Sequence, residues 1–228
     1  MKYFIHPVDI PSKLISRYQK PVHDATKAWS NFRGKMQLQD SLLPAQKYLC
    51  SYCEIELTRG DGDIGYHIEH IEPKSMNSSR TFDFSNLLIS CFDTGNEVVS
   101  FDPQPISCGH AKKGEFNQLL FIKPTDQGCE DYFFYELDGR IVANPDLNDP
   151  DKLAQIDYTI TLLNLNCRRL QRERKDLIVE GLNIVNDLLN NQDALSYFAN
   201  VQLDEDSGRN RSYFTTRRQY FQEFTRSI

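Results

Sequence analysis

Six cysteines are the first residues in this chain whose types and spacing point to chemistry, and that chemistry is metal binding. Cys50 and Cys53 form a C-x-x-C pair, the spacing at which two thiolates reach one zinc ion. Cys91 and Cys108 could complete a tetrahedral site, although they lie 17 positions apart and form no second pair of that kind. A free cysteine is also a small hydrophobic side chain, so burial without a metal is the alternative. Spacing alone leaves both open.

Histidines, a glutamate and an asparagine lie among these cysteines. The stretch His67-Ile-Glu-His70 is followed by Asn86 and then by His110-Ala-Lys-Lys113. The chain resembles the HNH (ββα-metal) nuclease family over residues 50–114. The resemblance lies in the order of its motifs, which is an acidic residue next to His, then Asn, then His-x-x-Lys, with four cysteines interspersed among them. Within that family the chain looks most like the PtuB-type HNH subunits of Septu and retron-associated antiphage systems. Those subunits share a strand-Gly-strand hairpin and a later Leu-Asn-Leu-Asn segment with arginines, here at residues 163–169.

The resemblance implies a catalytic role for four of these side chains. His70 matches the family's general base, and an imidazole titrates near neutral pH. Glu69 and His110 match the ligands of a catalytic divalent metal. One carboxylate and one imidazole leave open positions for water and phosphate oxygens, which suits Mg2+ or Mn2+. Asn86 matches the asparagine that pins the loop by hydrogen bonds and orients the base.

Further residues are expected to bind substrate or to hold the core together. Lys74 and Lys113 are predicted phosphate contacts, and Arg168 and Arg169 are predicted to grip the nucleic-acid backbone. The resemblance also implies that Cys50, Cys53, Cys91 and Cys108 bind a structural Zn2+. So small a ββα unit has little core of its own, and a structural zinc could contribute several kcal/mol of folding energy. His67 is interpreted as a substrate-facing neighbour of the base, and Cys129 and Cys167 as structural thiols.

One departure from the family pattern separates Cys91 from Cys108. The family places its second cysteine pair two residues apart, whereas 16 residues intervene here. Such an insertion can loop out, because lengthening a loop costs little entropy. It could instead remodel the substrate groove or bind a partner. Displacement of His110 would leave a folded protein with little or no activity.

Composition places the chain among globular proteins and limits its partners. It has 228 residues, of which 39% are hydrophobic and 25% charged, enough to bury a core without disulfides. No apolar run approaches the roughly 18–20 residues of a membrane span, and the start lacks a secretory signal, so a cytoplasmic protein without a membrane partner is expected. The net charge of −6 argues against a generic polyanion binder. Any surface for nucleic acid would have to be local.

The hydrophobic pattern predicts helices at both ends and short strands between them. Residues 1–20 are predicted to be extended and then helical, and residues 23–49 to form two helices divided by Gly34 and Pro44. Residues 66–71 and 86–91 are predicted strands. Asp138-Gly139 marks the turn of a hairpin within residues 132–143. From Lys152 the pattern is helical.

These elements predict an α+β fold, and the resemblance implies that a zinc-stapled ββα-metal core carries the N-terminal helical segment, the hairpin and the C-terminal helical part. The predicted boundaries are 1–49, 50–145 and 146–228. The leading hypothesis is a metal-dependent HNH endonuclease that cleaves DNA, or a tRNA, as the effector subunit of a bacterial antiphage complex. The expected partners are an ABC/SMC-type, PtuA-like ATPase and a retron reverse transcriptase with its RNA and DNA.

Two other hypotheses stay open at this point. The zinc-stapled domain could be an inactive adaptor that binds nucleic acid or the ATPase, although an adaptor does not need Glu69, His70 and Asn86. Alternatively, His67 or His110 could join the C-x-x-C pair in one structural zinc site of an unrelated protein. The aromatic C-terminal segment is predicted to be a protein-binding face, and burial in the core or stacking on single-stranded nucleic acid are the alternatives. Its aromatic residues are Tyr213, Phe214, Tyr220, Phe221 and Phe224.

Overall fold

The computed structural model describes residues 1–59, 64–92 and 106–225. The α-helices in those ranges are α1 Ser12–Tyr18, α2 Ala25–Ser30, α3 Lys35–Ala45, α4 Cys108–Lys112, α5 Pro150–Leu162, α6 Arg168–Leu188, α7 Gln192–Gln202 and α8 Phe214–Phe221. The strands are β1 Tyr66–His70, β2 Leu87–Cys91, β3 Phe133–Tyr135 and β4 Ile141–Ala143. None of the described helices is both long enough and apolar enough to cross a membrane.

Strands β1 and β2, which the sequence predicts as separate short strands, form an antiparallel pair. Their register runs from Tyr66 opposite Cys91 to His70 opposite Leu87. Successive side chains of a strand leave on opposite faces, so Glu69 and His70 leave β1 on opposite sides. Every residue of β2 is buried, and α4 packs against it. The order of elements is therefore strand, strand, helix.

The N-terminal helices pack directly on this pair. Gln46, which follows α3, is buried, and its side chain donates to the carbonyl of Ile89 at 3.0 Å and accepts from the Ile89 amide at 2.7 Å. The Gln46 side chain thereby satisfies backbone hydrogen-bonding groups at an edge of β2 that no other strand pairs in the described residues. Gly34 separates α2 from α3 as predicted. The prediction that Pro44 also divides the helices is wrong, because Pro44 lies inside the last turn of α3.

The hairpin is also confirmed, with β3 and β4 paired around Asp138-Gly139. Gly139 has a φ of +85°, and a Cβ built on it would lie 2.0 Å from the Gln171 carbonyl oxygen of α6. Only glycine lets the turn approach that helix so closely. The buried Arg174 guanidinium donates to the Gly139 carbonyl at 2.7 Å and to the Leu165 carbonyl at 2.8 Å. The basic stretch of α6 therefore includes an arginine that holds the fold together.

One large hydrophobic cluster joins the three predicted segments. It contains side chains from the N-terminal helices, the β1–β2 pair, the hairpin and the start of α6. A smaller cluster of Val185, Leu195 and Phe221 lies between α6, α7 and α8.

The C-terminal aromatic segment corrects one prediction. Tyr213, Phe214 and Phe221 are buried, so they cannot form an exposed protein-binding face. Gly181 of α6 explains the burial of Phe221, because a Cβ at Gly181 would lie 2.2 Å from that ring. The missing side chain leaves the space that the aromatic ring fills.

Candidate active site and metal centre

Four cysteines meet in one buried cluster. The sulfur atoms of Cys50, Cys53, Cys91 and Cys108 all lie within 4.8 Å of one another. They come from the turn after α3, the end of β2 and the start of α4. The backbone amide of Cys91 donates to the Cys50 sulfur at 3.3 Å, a contact that favours a thiolate. Among the described residues, this cluster of four is complete without His67 or His110.

The chemistry of the cluster fits a tetrahedral zinc ion. Burial opposes ionisation of Cys50, but hydrogen bonds from the neighbouring thiols lower its pKa well below the usual value. Hydrogen bonds with those thiols and burial raise the pKa of Cys91. Four thiolates therefore cannot form together in this cluster unless a cation neutralises them. A tetrahedral set of four sulfurs is a donor set typical of zinc.

Glu69 lies at the centre of a second group of polar side chains. Its Oε1 accepts from Lys112 Nζ at 2.9 Å, and its Oε2 faces His67 Nε2 at 3.3 Å. Lys112 is fully buried and also donates to the His70 carbonyl at 3.0 Å. Burial would raise the pKa of Glu69, but the hydrogen bond with His67 and the charge of Lys112 hold it at about 2. The carboxylate is therefore ionised at neutral pH.

His67 connects Glu69 to His110. Its Nδ1 lies 2.6 Å from the Phe92 carbonyl, and its Nε2 faces the Glu69 carboxylate. Both groups only accept hydrogen bonds, which favours the doubly protonated ring. The pKa of His67 is raised accordingly, although burial opposes the charge. The ring centroids of His67 and His110 lie 4.5 Å apart at an interplanar angle of 88°.

His70 is held in an orientation that suits a base. Its Nε2 lies 3.0 Å from the Thr81 carbonyl, which can only accept, so the neutral ring carries its proton on Nε2 and its lone pair on Nδ1. The Trp29 ring packs against it at 75°, with centroids 4.5 Å apart. Burial lowers the pKa of His70 to about 4, and the charges of Lys74 and Lys112 contribute. The imidazole is therefore neutral at pH 7.

Asn86 fixes the loop that contains Thr81. Its Oδ1 accepts from the Glu72 amide at 2.8 Å, and its Nδ2 donates to the carbonyls of Glu72 and Arg80 at 3.0 and 3.1 Å. The side chain is buried, and these bonds use its carbonyl and both amide hydrogens. Asn86 thereby holds the chain next to the carbonyl that orients His70.

A cavity of about 710 Å³ opens over these groups. His67, Glu69, His70 and His110 all line it, although Glu69 and His70 leave β1 on opposite faces. Besides His67, the described lining contains four Lys or Arg side chains and one carboxylate, that of Glu69. The cationic residues are Lys35, Arg59, Lys74 and Lys113. Within residues 1–59, 64–92 and 106–225, none of the four forms an ion pair. The cavity is therefore locally positive in a chain of net charge −6.

The predicted arginines lie elsewhere. The described lining of the cavity includes neither Arg168 nor Arg169. Arg168 is exposed. Arg169 is buried, pairs with Glu173 at 3.2 Å and lies 5.4 Å from the centroid of the Phe92 ring.

The sequence did not identify four residues of the site: Lys112, Trp29, Lys35 and Arg59. Lys112 stands next to the predicted Lys113, and no spacing rule indicates which of two adjacent lysines turns inward. Trp29 and Lys35 lie outside the motif, in the helices that form the other wall of the cavity. The 16-residue insertion falls mostly on residues 93–105, which lie outside the described ranges.

Comparison with known proteins identifies relatives of this chain. No model of a known protein family matches it. A protein of Vibrio cholerae serotype O1 biovar El Tor, named as an HNH endonuclease of retron Vc95, is 33% identical over 152 residues, which are 65% of this chain and 67% of that protein. A protein of Escherichia coli, named as an HNH endonuclease of retron Ec83, is 28% identical over 181 residues, covering 66% of this chain and 70% of that protein.

Proposed function

Since this chain belongs to the HNH endonuclease family, we propose that it hydrolyses phosphodiester bonds of nucleic acid in the cavity between β1, α4 and α2. One observation carries the proposal: a neutral histidine and an ionised carboxylate line one cavity with four cations that form no ion pair among the described residues. Phosphate oxygens are the ligands that such a cavity suits. An uncharged imidazole and a carboxylate are the base and the metal ligand that hydrolysis needs.

In the proposed mechanism His70 accepts the proton of the attacking water at Nδ1. The Thr81 carbonyl keeps the proton on Nε2, and Trp29 packs against the ring, so its orientation is fixed before substrate binds. Glu69 and His110 would hold a divalent ion such as Mg2+ or Mn2+. When bound, that ion supplies neutralisation of charge on the phosphate and on the leaving oxygen. Lys74 and Lys113 bind phosphate oxygens at the rim.

The same proposal assigns β1, β2 and α4 to a ββα-metal core. A zinc ion on the four cysteines would join the turn after α3, the end of β2 and the first residue of α4. Gly109 and His110 directly follow Cys108, so the ion would also set where His110 stands relative to Glu69. A Cβ at Gly109 would lie 2.8 Å from the Glu69 carboxylate, which indicates how closely α4 approaches β1.

The biological setting is proposed from the relatives. Both are named for retrons, which supports a nuclease in a retron-associated defence system. The resemblance to PtuB-type subunits adds a PtuA-like ABC/SMC ATPase as the partner, DNA or a tRNA as the substrate, and action in the bacterial cytoplasm. An acidic nuclease with a local cationic cavity suits a subunit that its partner delivers to the substrate.

An inactive adaptor is the second candidate, and the contacts of Glu69 favour it. Both carboxylate oxygens face cationic side chains, Lys112 on Oε1 and His67 on Oε2. A divalent metal would have to bind Glu69 beside these groups or displace one of them. In the adaptor reading the same contacts stabilise the fold, and the cavity binds nucleic acid without cutting it.

A cleavage experiment separates the two candidates. Zinc-loaded protein is incubated with plasmid DNA and with total tRNA, with Mg2+ or Mn2+, with and without the co-encoded ATPase. We expect metal-dependent cleavage of one substrate class by the wild type and none by Glu69→Gln of equal zinc content. Binding of nucleic acid without cleavage under every condition would favour the adaptor.

A further inference from the structure

The N-terminal segment is basic although the chain as a whole is acidic. Residues 1–49 contain eight Lys or Arg, three Asp and no Glu, a net charge of +5, whereas the whole chain carries −6. The net charge of the whole chain therefore does not reveal the excess of basic residues in this segment. Such a local excess is the electrostatic footprint of a polyanion site.

Part of this charge converges on a second cavity, of about 540 Å³, between α1 and the turn that joins α2 to α3. Four cationic residues line it, and its described lining contains no carboxylate: Lys13, Arg17, Lys20 and Arg33. We refer to this feature as the basic cavity. Its polar lining is completed by residues such as Ser12 and Asn31.

The cationic groups of the basic cavity are available to a ligand. Across the described residues, no hydrogen bond or ion pair engages the side chain of Lys13, Lys20 or Arg33, and all three residues are exposed. Arg17 is held in place, because its guanidinium donates to the Lys20 carbonyl at 3.2 Å and lies 4.4 Å from the centroid of the Phe82 ring. Clustered like charges repel one another, and an anion would relieve that repulsion.

Helix α2 separates the basic cavity from the 710 Å³ cavity of the proposed active site, which we refer to as the catalytic cavity. Trp29 and Ser30 line the catalytic side, and Ala28 and Asn31 line the basic side. The rings of Trp29 and Phe32 stack across this wall with centroids 5.7 Å apart at 22°. Lys35, just beyond the turn, lines the catalytic cavity and places its Nζ 5.7 Å from the centroid of the Trp29 ring. Cationic side chains therefore continue from one cavity to the other around α2.

We propose that the basic cavity binds the sugar-phosphate backbone of the nucleic acid whose reacting phosphate occupies the catalytic cavity. The inference rests on the proposed function, since it is that function which places nucleic acid next to α2. Lys13, Lys20 and Arg33 contact phosphates that are not cleaved. Contacts of this kind set affinity and register and carry no sequence information. The segment outside the nuclease motif thus adds backbone contacts to the phosphate contacts of Lys74 and Lys113.

The test measures binding without cleavage. Zinc-loaded protein is titrated with a fluorescent phosphorothioate oligonucleotide, in DNA and RNA arms, without added Mg2+ or Mn2+ and at several salt concentrations. The double variant Lys13→Gln/Arg33→Gln is compared with Lys27→Gln/Lys175→Gln, which removes the same charge from exposed positions outside both cavities. Thermal unfolding confirms that all three proteins are folded.

The salt dependence gives the decisive quantity. Each phosphate contact contributes roughly 0.7–0.9 to the slope of log K against log salt, so loss of two contacts should reduce the slope by about 1.4–1.8. We expect this reduction for Lys13→Gln/Arg33→Gln and an unchanged slope for the control variant. Equal slopes for the two variants would overturn the proposal, whatever their affinities.

Failure of this proposal is distinguishable from failure of the proposed nuclease function. A reduced salt-dependence slope for Lys13→Gln/Arg33→Gln supports binding of the nucleic-acid backbone in the basic cavity even if the wild-type protein cleaves nothing. Unchanged binding by the cavity variant, together with normal cleavage, would overturn this proposal and leave the nuclease intact. In that case an acidic protein segment becomes the better ligand for the basic cavity.

Discussion

The ion pair between Lys112 and Glu69 gives the most quantitative prediction. Lys112 is fully buried, Glu69 is nearly so, and their charged atoms lie 2.9 Å apart. The pKa of Glu69 is about 2 rather than 4.5, and that difference corresponds to about 3 kcal/mol favouring the ionised carboxylate. His67 supplies part of this stabilisation and Lys112 another part. The His70 carbonyl would also lose its hydrogen bond from Lys112.

Replacing Glu69 leaves the charge of the fully buried Lys112 without its carboxylate partner, whereas replacing Lys112 leaves Glu69 paired with His67 alone among the described residues. We therefore expect Lys112→Met to lower the free energy of unfolding by about 3 kcal/mol and Glu69→Gln by about 3–5 kcal/mol, the range for breaking a buried pair. Removing both charges abolishes the uncompensated state. The double variant should then be less destabilised than the sum of the single variants by about 2 kcal/mol or more.

Urea unfolding of the four zinc-loaded proteins at pH 7 measures this coupling. Equal zinc content is required, because loss of the metal would dominate the result. Effects that add within about 0.5 kcal/mol would refute the reasoning, since independent sites behave in that way. Such additivity would mean that the two side chains do not depend on each other.

Four further predictions concern the metal, two loops and the α4–β1 contact. Chelation of zinc, or Cys91→Ser, should unfold the chain, because structural zinc sites contribute about 10–16 kcal/mol of apparent binding energy. Circular dichroism measures the unfolding and metal analysis the zinc content. The control variant Cys129→Ser should keep its zinc. Gly208 has a φ of +77° and no neighbour within 4 Å of an added Cβ, so Gly208→Ala should lower the free energy of unfolding by roughly 1–2 kcal/mol in chemical denaturation. Gly139→Ala should lower it by about 1–3 kcal/mol more, because its Cβ would meet the Gln171 carbonyl. Equal losses for the two variants would contradict that contact. Asn86→Ala should lower stability by about 3 kcal/mol, because three buried hydrogen bonds are lost, and should also reduce cleavage; an unchanged melting temperature would exclude the role given to this side chain. Gly109→Ala should abolish metal-dependent cleavage, because its Cβ would lie 2.8 Å from the Glu69 carboxylate, and it should lower the melting temperature less than Asn86→Ala does. Gly114→Ala should retain activity, because its Cβ would lie 3.4 Å from Ser75 Oγ.

Local pattern was enough to predict the strands and the hairpin. The hydrophobic pattern predicted the strands β1 and β2, and Asp138-Gly139 predicted the hairpin turn, because these signals depend on neighbouring residues alone. The four-cysteine cluster was predicted from one C-x-x-C pair and the family resemblance. The catalytic roles of Glu69, His70 and His110 stay predictions.

Contacts between distant segments account for what the sequence did not reveal. Lys112 is buried because α4 lies against β1, and this choice between two adjacent lysines is made by tertiary packing. Arg174 looks like a surface charge in the sequence, yet it is buried because carbonyls of the hairpin turn and of the chain before α6 accept its hydrogen bonds. Phe221 is buried because Gly181 leaves room for it.

The most direct measurement of the central claim is the initial rate of cleavage by wild type, His70→Ala and His23→Ala, each with equal zinc content. His23 is exposed and lies outside the described lining of the catalytic cavity, so it controls for the loss of a histidine. Removal of a general base typically reduces the rate by about 10²–10⁴-fold. We predict a loss of that size for His70→Ala and wild-type activity for His23→Ala. Equal rates for all three proteins would contradict the placement of the active site in this cavity.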